Sequence, residues 1–178
     1  EAGIEVTSLP GAAACITALT LSGLSTRRFC FEAFLPVDKK ERQAVFSELS
    51  RETRTIIVYE APHRLVRTLG EFLEALGDRK ITVCRELTKK HETAFHTTIA
   101  QALTYYRSTE PKGECVLVIE GKNRKELERE AQDSWKEVSI LEHMEKYLSQ
   151  GMEKKDAMKQ VAKDRGIGKR EVYKMLLE

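Results

Sequence analysis

The stretch that decides the fold is Arg54-Thr55-Ile56-Ile57-Val58-Tyr59-Glu60-Ala61-Pro62-His63-Arg64. Thr55 to Tyr59 is β-branched and aromatic, the composition of a central strand. Pro62 lacks the N–H that a ladder needs but suits the first turn of a helix. Leu65, Val66, Leu69, Phe72, Leu73 and Leu76 then return at helical spacing. A strand therefore runs into a helix through Glu60, His63 and Arg64. In open α/β sheets, ligands bind outside the carboxyl ends of strands. Position alone leaves two readings: a binding or catalytic edge, or a βα turn that Glu60 and Arg64 merely cap and solubilise.

Outward from this stretch the pattern repeats. Ile4 to Leu9 reads as a short strand broken by Pro10-Gly11, and Ala12-Ala13-Ala14 opens a helix carrying Ile16, Leu19 and Leu21 that Gly23 ends. Arg28 to Phe34 alternates as a strand should, Pro36 stops it, and Asp38 is placed to N-cap a charged helix reaching Ser50. Ile81 to Leu87 predicts another strand, Glu92 to Thr97 a shorter one, and Ile99 to Tyr106 a short helix. Glu114 to Glu120 is a near-continuous apolar strand stopped by Gly121. Strands alternating with helices predict an α/β domain over residues 1–121, with a mixed, mostly parallel sheet flanked by helices.

After Gly121 the composition changes. Residues 122–134 are charged and lack apolar periodicity, which reads as a linker or as the start of a solvated helix. Trp135, Val138, Leu141, Met144 and Leu148 then make a helical stripe; Ala157, Val161 and Ala162 mark a second helix ending near Gly166, and Val172, Tyr173, Leu176 and Leu177 a third. Residues 135–178 thus predict a small helix-turn-helix-like domain, the alternative being a helical cap folded onto the sheet.

Composition narrows the function classes. Lys+Arg 30 against Asp+Glu 28 leaves +2, so no global positive field attracts nucleic acid and any anionic polymer must be met by local patches. Cys15, Cys30, Cys84 and Cys115 lie far apart with no C-x-x-C pair, the pattern of reduced thiols in a cytoplasmic protein rather than of zinc or disulfides. His63, His91 and His96 lack the H-x-x-x-H spacing of a metal site, so no metal is expected. No apolar run approaches the ~20 residues of a membrane span, and no signal peptide is visible. The chain opens on Glu1-Ala2-Gly3-Ile4 without Met, and Gly3 reads as the C-cap of a helix lying upstream, which suggests a fragment of a larger protein.

Three further motifs carry possible chemistry. The small residues of Pro10-Gly11-Ala12-Ala13-Ala14 let a ligand approach backbone N–H groups at a helix start, or simply let helix and sheet pack closely. Arg85-Glu86-Leu87-Thr88-Lys89-Lys90-His91-Glu92 follows a strand and, with His63 and Arg64, would form a basic rim around carboxylates; a solvated loop is the competing reading. Lys169, Arg170 and Lys174 lie on the last helix, positions 170 and 174 stacked at i,i+4, where they would meet phosphates. Asp156, Asp164 and Glu171 nearby temper that reading.

Several segments match one family together. These are Pro10-Gly11 with the small residues after it, Phe31-Glu32-Ala33-Phe34-Leu35-Pro36, Tyr59-Glu60-Ala61-Pro62-His63-Arg64, Arg85-Glu86-Leu87-Thr88-Lys89 and the apolar strand from Gly113 to Gly121. In order and spacing they resemble the tetrapyrrole-methylase (class III) superfamily of S-adenosyl-L-methionine enzymes. Within it they resemble the branch that methylates small-subunit ribosomal RNA. The helical tail from Asp156 to Leu177 is also similar to that branch's C-terminal region.

The resemblance implies 2′-O-methylation of a cytidine in 16S rRNA, at the decoding centre of the small ribosomal subunit. It implies a cytoplasmic homodimer of two-domain subunits with the cofactor between the domains. This chain resembles the second domain plus the tail, the first domain lying outside the sequence, so the chain alone is expected to be inactive. It places Ala13, Ala14, Tyr59, Glu60, Thr97 and Thr98 at the cofactor, although His96 to Gln101 departs from the family's R-G-T-[LI]-x-E at Thr97 and Gln101. Ala33 stands where many members have Gly. Glu60, His63 and Glu86 are the candidate bases, and Arg64, Arg85, Lys89, Lys169, Arg170 and Lys174 the candidate RNA contacts. A tetrapyrrole methyltransferase and a non-catalytic RNA-binding module are the alternatives.

Overall fold

A computed structural model of the chain describes residue 3 and residues 7–177. The chain divides into two compact units, residues 1–122 and 123–178. In the first, β1 (Phe29–Phe34), β2 (Thr55–Glu60), β3 (Lys80–Arg85), β4 (Thr93–Thr98) and β5 (Cys115–Ile119) form one sheet in the order β1-β2-β5-β3-β4. The expected strand Ile4 to Leu9 falls partly outside the described residues, and its remainder, residues 7–9, has no regular structure.

The sheet is mixed and flanked by helices, as the sequence predicts, but the balance within it is reversed. One of its four pairings, β1 with β2, is parallel; the other three are antiparallel. The reason is that β5 inserts between β2 and β3 and runs against both. A single helical crossover, through α2 (Lys39–Ser50), joins neighbouring strands in parallel, as such pairs require. One consequence positions the site. The carboxyl ends of β1, β2 and β3 share an edge with the amino ends of β4 and β5, because Glu60 and Arg85 both pair with Cys115, and Arg85 pairs with Thr93.

Period-2 alternation sorts the strand residues onto two faces. Ile56 and Val58 of β2, with Ile81 and Val83 of β3, pack under α2, α3 (Leu65–Leu76) and α4 (Ile99–Ser108) through Phe46, Leu69 and Phe72. Ile57, Cys84, Val116 and Val118 face the opposite way, onto Ala18 and Leu19 of α1 (Ala14–Leu21). Each fully buried Leu, Ile or Phe is worth about 1.5–3 kcal/mol, so the doubly covered centre of the sheet holds the unit together. Asp38 caps α2 as its chemistry dictates, one carboxylate oxygen accepting from the Lys40 and Glu41 amides at 3.0 Å each.

The second unit has its own core. Helices α5 (Arg124–Asp133), α6 (Ile140–Ser149), α7 (Lys154–Arg165) and α8 (Lys169–Met175) surround Met144, Ala157, Met158, Val161, Ala162 and Val172. Of the two readings of 122–134, the linker gives way to the solvated helix: most of the stretch is α5, capped by the Asn123 side chain at the Lys125 amide. None of its residues is buried, which is why it carries no apolar period. The expected stripe from Trp135 is also redrawn. Trp135 and Val138 lie in the turns before α6, which starts at a Ser139–Glu142 capping box. The inward face of α6 is His143 and Met144, whereas Leu141 is 60% exposed.

Candidate active-site edge

The three non-glycine residues with left-handed backbone among the described residues are Ala33 (φ 52°), Glu86 (φ 50°) and Thr88 (φ 64°). All three lie at the carboxyl ends of β1 and β3. Such conformations cost of order 1–3 kcal/mol each and collect where geometry matters more than stability. At Ala33 the strain accompanies a bulge that shifts the β1–β2 register between Phe31 and Phe34. Phe31 and Phe34 consequently both gather around Tyr59, with ring centroids 4.9 and 5.6 Å from it. These phenylalanines are 43% and 50% exposed, an open aromatic shelf.

Tyr59 also ties the shelf to α1. The N-cap residue Ala13 has no side-chain acceptor, and the Tyr59 hydroxyl takes the role by accepting from the Cys15 amide at 3.1 Å. Burial, then the Cys15 side chain, raises the phenol's pKa, and the hydrogen bond from the Cys15 amide opposes the rise. Ala13, Ala14 and Tyr59, expected together at a cofactor, are thus brought together on the α1 face of the sheet.

Glu60 is the next residue and faces the other way, onto α3. It is 1% exposed, and both oxygens are committed: Oε1 accepts from the Ala61 amide at 2.8 Å, Oε2 from the Thr68 hydroxyl at 2.6 Å. Arg64 Nε stands 2.9 Å from Oε1 in an ion pair without an aligned hydrogen bond. Thr68 in turn accepts from Arg42 Nη2 at 2.8 Å, and Arg42 donates to Glu71 at 2.7 Å and to the Pro36 carbonyl at 3.3 Å. Burial pushes the Glu71 carboxyl up, but hydrogen bonds from Arg42 and Arg67 outweigh it and leave the pKa lowered. Buried charge of this kind needs full pairing, and the chain Arg42–Thr68–Glu60–Arg64 supplies it. Sequence reading missed Arg42 and Thr68, because an arginine in a charged helix gives no sign of facing inward.

Arg85 and Glu86 complete the edge. The Cys115 thiol is pushed up to about 12, first by burial, with Arg85 opposing and the nearby Glu60 and Glu86 carboxylates adding to the rise. Candidate residues from two segments meet here, since Glu60 and Arg85 both pair with Cys115 across the sheet. Arg85 Nε donates to the Lys112 carbonyl at 3.1 Å, and Lys89 pairs with Glu86 at 3.2 Å. A Cβ at Gly113 would stand 1.9 Å from Glu86 Oε1, and its φ of +75° is also glycine's, so Gly113 makes room for that carboxylate. His63 is exposed, makes no hydrogen bond or ion pair among the described residues, and lines a pocket of about 560 Å³ with Tyr106, Arg107 and Glu110.

Thr97 and Thr98 do not join this edge. The register pairs them with Ile81 and Lys80, at the far end of the sheet. From Thr93 to Thr97 is on the order of 13 Å along the strand. Their side chains serve locally: Thr97 donates to Gln101 at 2.7 Å, and Thr98 caps α4. Lys169, Arg170 and Lys174 are exposed on α8 in the second unit. Among the described residues there is no group of three metal-ligating side chains and no helix long and apolar enough to cross a membrane.

A mixed sheet flanked by helices in this order is the fold of a known class. The tetrapyrrole (corrin/porphyrin) methylase family matches residues 1–103, and the chain belongs to this family. The fold is shared with the methyltransferase CobJ (TM-score 0.54, 19% identity, 67% of this chain and 52% of that one). It is shared also with the cobalamin biosynthetic enzyme cobalt precorrin-4 methyltransferase, CbiF (TM-score 0.52, 16% identity, 66% and 53%).

Within the family, the chain is 43% identical over 171 residues to ribosomal RNA small subunit methyltransferase I of Halalkalibacterium halodurans, covering 96% of this chain and 58% of that protein. The protein of that name from Bacillus subtilis is 44% identical over 173 residues (97% and 59%), and that from Synechocystis sp. 41% over 179 (100% and 62%). The chain spans about 60% of the length of these relatives.

Proposed function

We propose that the full-length protein transfers a methyl group from S-adenosyl-L-methionine to the 2′-hydroxyl of a cytidine in 16S rRNA. In this reading it acts on the small ribosomal subunit, as a cytoplasmic homodimer, and this chain supplies one wall of the site. The observation that carries the reading is identity of 41–44% to proteins named ribosomal RNA small subunit methyltransferase I along 96–100% of the chain, helical unit included.

The residues present fit such a cofactor at one place. Ala13 and Ala14 leave backbone N–H groups open at the start of α1, and the Phe31–Phe34–Tyr59 shelf offers faces for a planar base or a cationic sulfur. The cofactor, when bound, supplies a methyl group already activated on a sulfonium. What the chain must add is position. Arg64, Arg85 and Lys89 hold phosphates of the RNA, Arg64 from the fixed support of the Glu60 carboxylate. A ribose hydroxyl is a weak nucleophile and needs an acceptor for its proton. Glu60 has no free oxygen for this and acts as a positioning residue; Glu86 is held by Lys89. His63 is exposed and uncommitted, and is the acceptor in this account.

The test uses full-length protein, small subunits and methyl-labelled cofactor. Label is expected as 2′-O-methylcytidine after nuclease digestion; label on a base, or none, would overturn the reading. The 178-residue chain by itself is expected to transfer nothing, and transfer by it alone would contradict the divided site.

A further inference from the structure

The second unit carries a surface that the methylation chemistry does not use. Tyr173 is 56% exposed on α8. It sits over a groove of about 490 Å³ lined by Met158, Lys169, Arg170, Lys174 and Leu177. At ~100° per residue, Lys169, Arg170, Tyr173 and Lys174 fall within about 140° of the helix circumference, with the buried Val172 on the other side. The surface is thus one aromatic ring on an aliphatic floor, framed by three cations.

The neighbouring acids offset it only in part, Asp156 feeling the Lys169 charge after those of Lys159 and Lys155. Asp156 is paired with Lys159 at 2.7 Å, and Asp164 is engaged by the Tyr147 hydroxyl and by Gln160. Glu171 falls outside the basic arc of α8. Arg170 and Lys174 make no ion pair among the described residues.

We infer that Tyr173 is a stacking platform for an unpaired base, with Lys169, Arg170 and Lys174 on the flanking phosphates, so that this face binds single-stranded RNA. The inference rests on the RNA-substrate reading above and adds to it a second contact. Aromatic rings interleaved with cations recognise single strands, because every base offers a face to stack and every linkage a charge. A duplex is the poorer fit. The major groove of duplex RNA is too deep and narrow for side chains to read, and α8, at seven residues, is about 10 Å long. The groove also presents apolar surface where a duplex reader needs donors and acceptors for base edges.

The experiment is fluorescence anisotropy of the 178-residue chain with a labelled 12-nucleotide RNA, single-stranded or annealed to its complement, over a range of salt. The single strand is expected to bind more tightly than the duplex. Tyr173→Ala is expected to weaken single-strand binding about tenfold with an unchanged salt slope, while Tyr173→Phe binds as the parent does. Lys169→Gln with Lys174→Gln should instead flatten the salt slope. Both positions are exposed, and far-ultraviolet circular dichroism verifies the fold of each variant. The inference is overturned if Tyr173→Ala binds as tightly as the parent, if duplex binds as tightly as single strand, if the parent binds neither, or if the face instead mediates self-association. A parent that binds through residues other than Tyr173 would remove this contact and leave the methylation reading standing; that reading fails separately, in the labelling assay.

Discussion

At the scale of single residues, adjacent positions on β2 do opposite things. Tyr59 turns to the α1 face and caps a helix that has no cap of its own, while Glu60 turns to the α3 face and anchors a chain of buried charge. Thr68 is the joint of that chain, its hydroxyl donating to Glu60 and accepting from Arg42. Thr68→Val keeps the shape and removes both bonds, leaving two buried charged groups short of a partner. The expected cost is about 2–3 kcal/mol. Glu60→Gln keeps an acceptor for Thr68 but releases Arg64, which is partly exposed and regains water. Its cost is expected to be smaller, about 1–2 kcal/mol. Guanidinium unfolding of both variants checks the order, and a larger loss for Glu60→Gln would contradict it. The candidate cluster was legible in the sequence because strand, proline and charges adjoin there. Which side of the sheet each residue serves follows from strand parity, and parity has meaning only once the covering helices are known.

At the scale of elements, the edge strand β1 carries the strain. Ala33 at φ 52° occupies a conformation in which a Cβ is unfavourable, at the position where the family resemblance expects glycine. Ala33→Gly relieves that strain and gives back part of the gain through a freer unfolded chain, so a net stabilisation of about 0.5–1 kcal/mol is expected. A fall in the unfolding midpoint would contradict the strained bulge. Most elements were readable from period and punctuation. β2, β3, β5 and α2 appear within two residues of their predicted ends, and Asp38 caps where its side chain dictates. What could not be read was direction, since an apolar run such as Cys115–Ile119 is the same signal parallel or antiparallel. Helix α5 could not be told from a linker for the converse reason. It buries nothing, so nothing in its sequence repeats.

At the scale of the whole molecule, the second unit has a reporter of its own. The single tryptophan, Trp135, lies in the second unit and stacks on the fully buried His143 at 3.5 Å between ring centroids. Burial, then the Arg165 charge, lowers the His143 pKa; Arg165 Nε donates to Nδ1 at 3.2 Å, which requires the neutral ring. A group with a lowered folded pKa contributes stability that is present above its unfolded value, near 6.5. That stability is lost as pH falls through the lowered folded value. Tryptophan fluorescence during urea unfolding should therefore show a midpoint that declines from pH 7 toward pH 5, and His143→Gln should flatten that decline. A parent midpoint rising over this range would contradict the neutral, Arg165-bonded ring.

Family membership and the long identity to ribosomal RNA methyltransferases set the account's central claim. The most direct test is mass-spectrometric mapping of ribose methylation across 16S rRNA from cells with and without the full-length gene. The account predicts that one cytidine loses its 2′-O-methyl group without the gene and regains it when the gene is restored. An unchanged ribose-methylation map, or loss of a base methyl group instead, would contradict it.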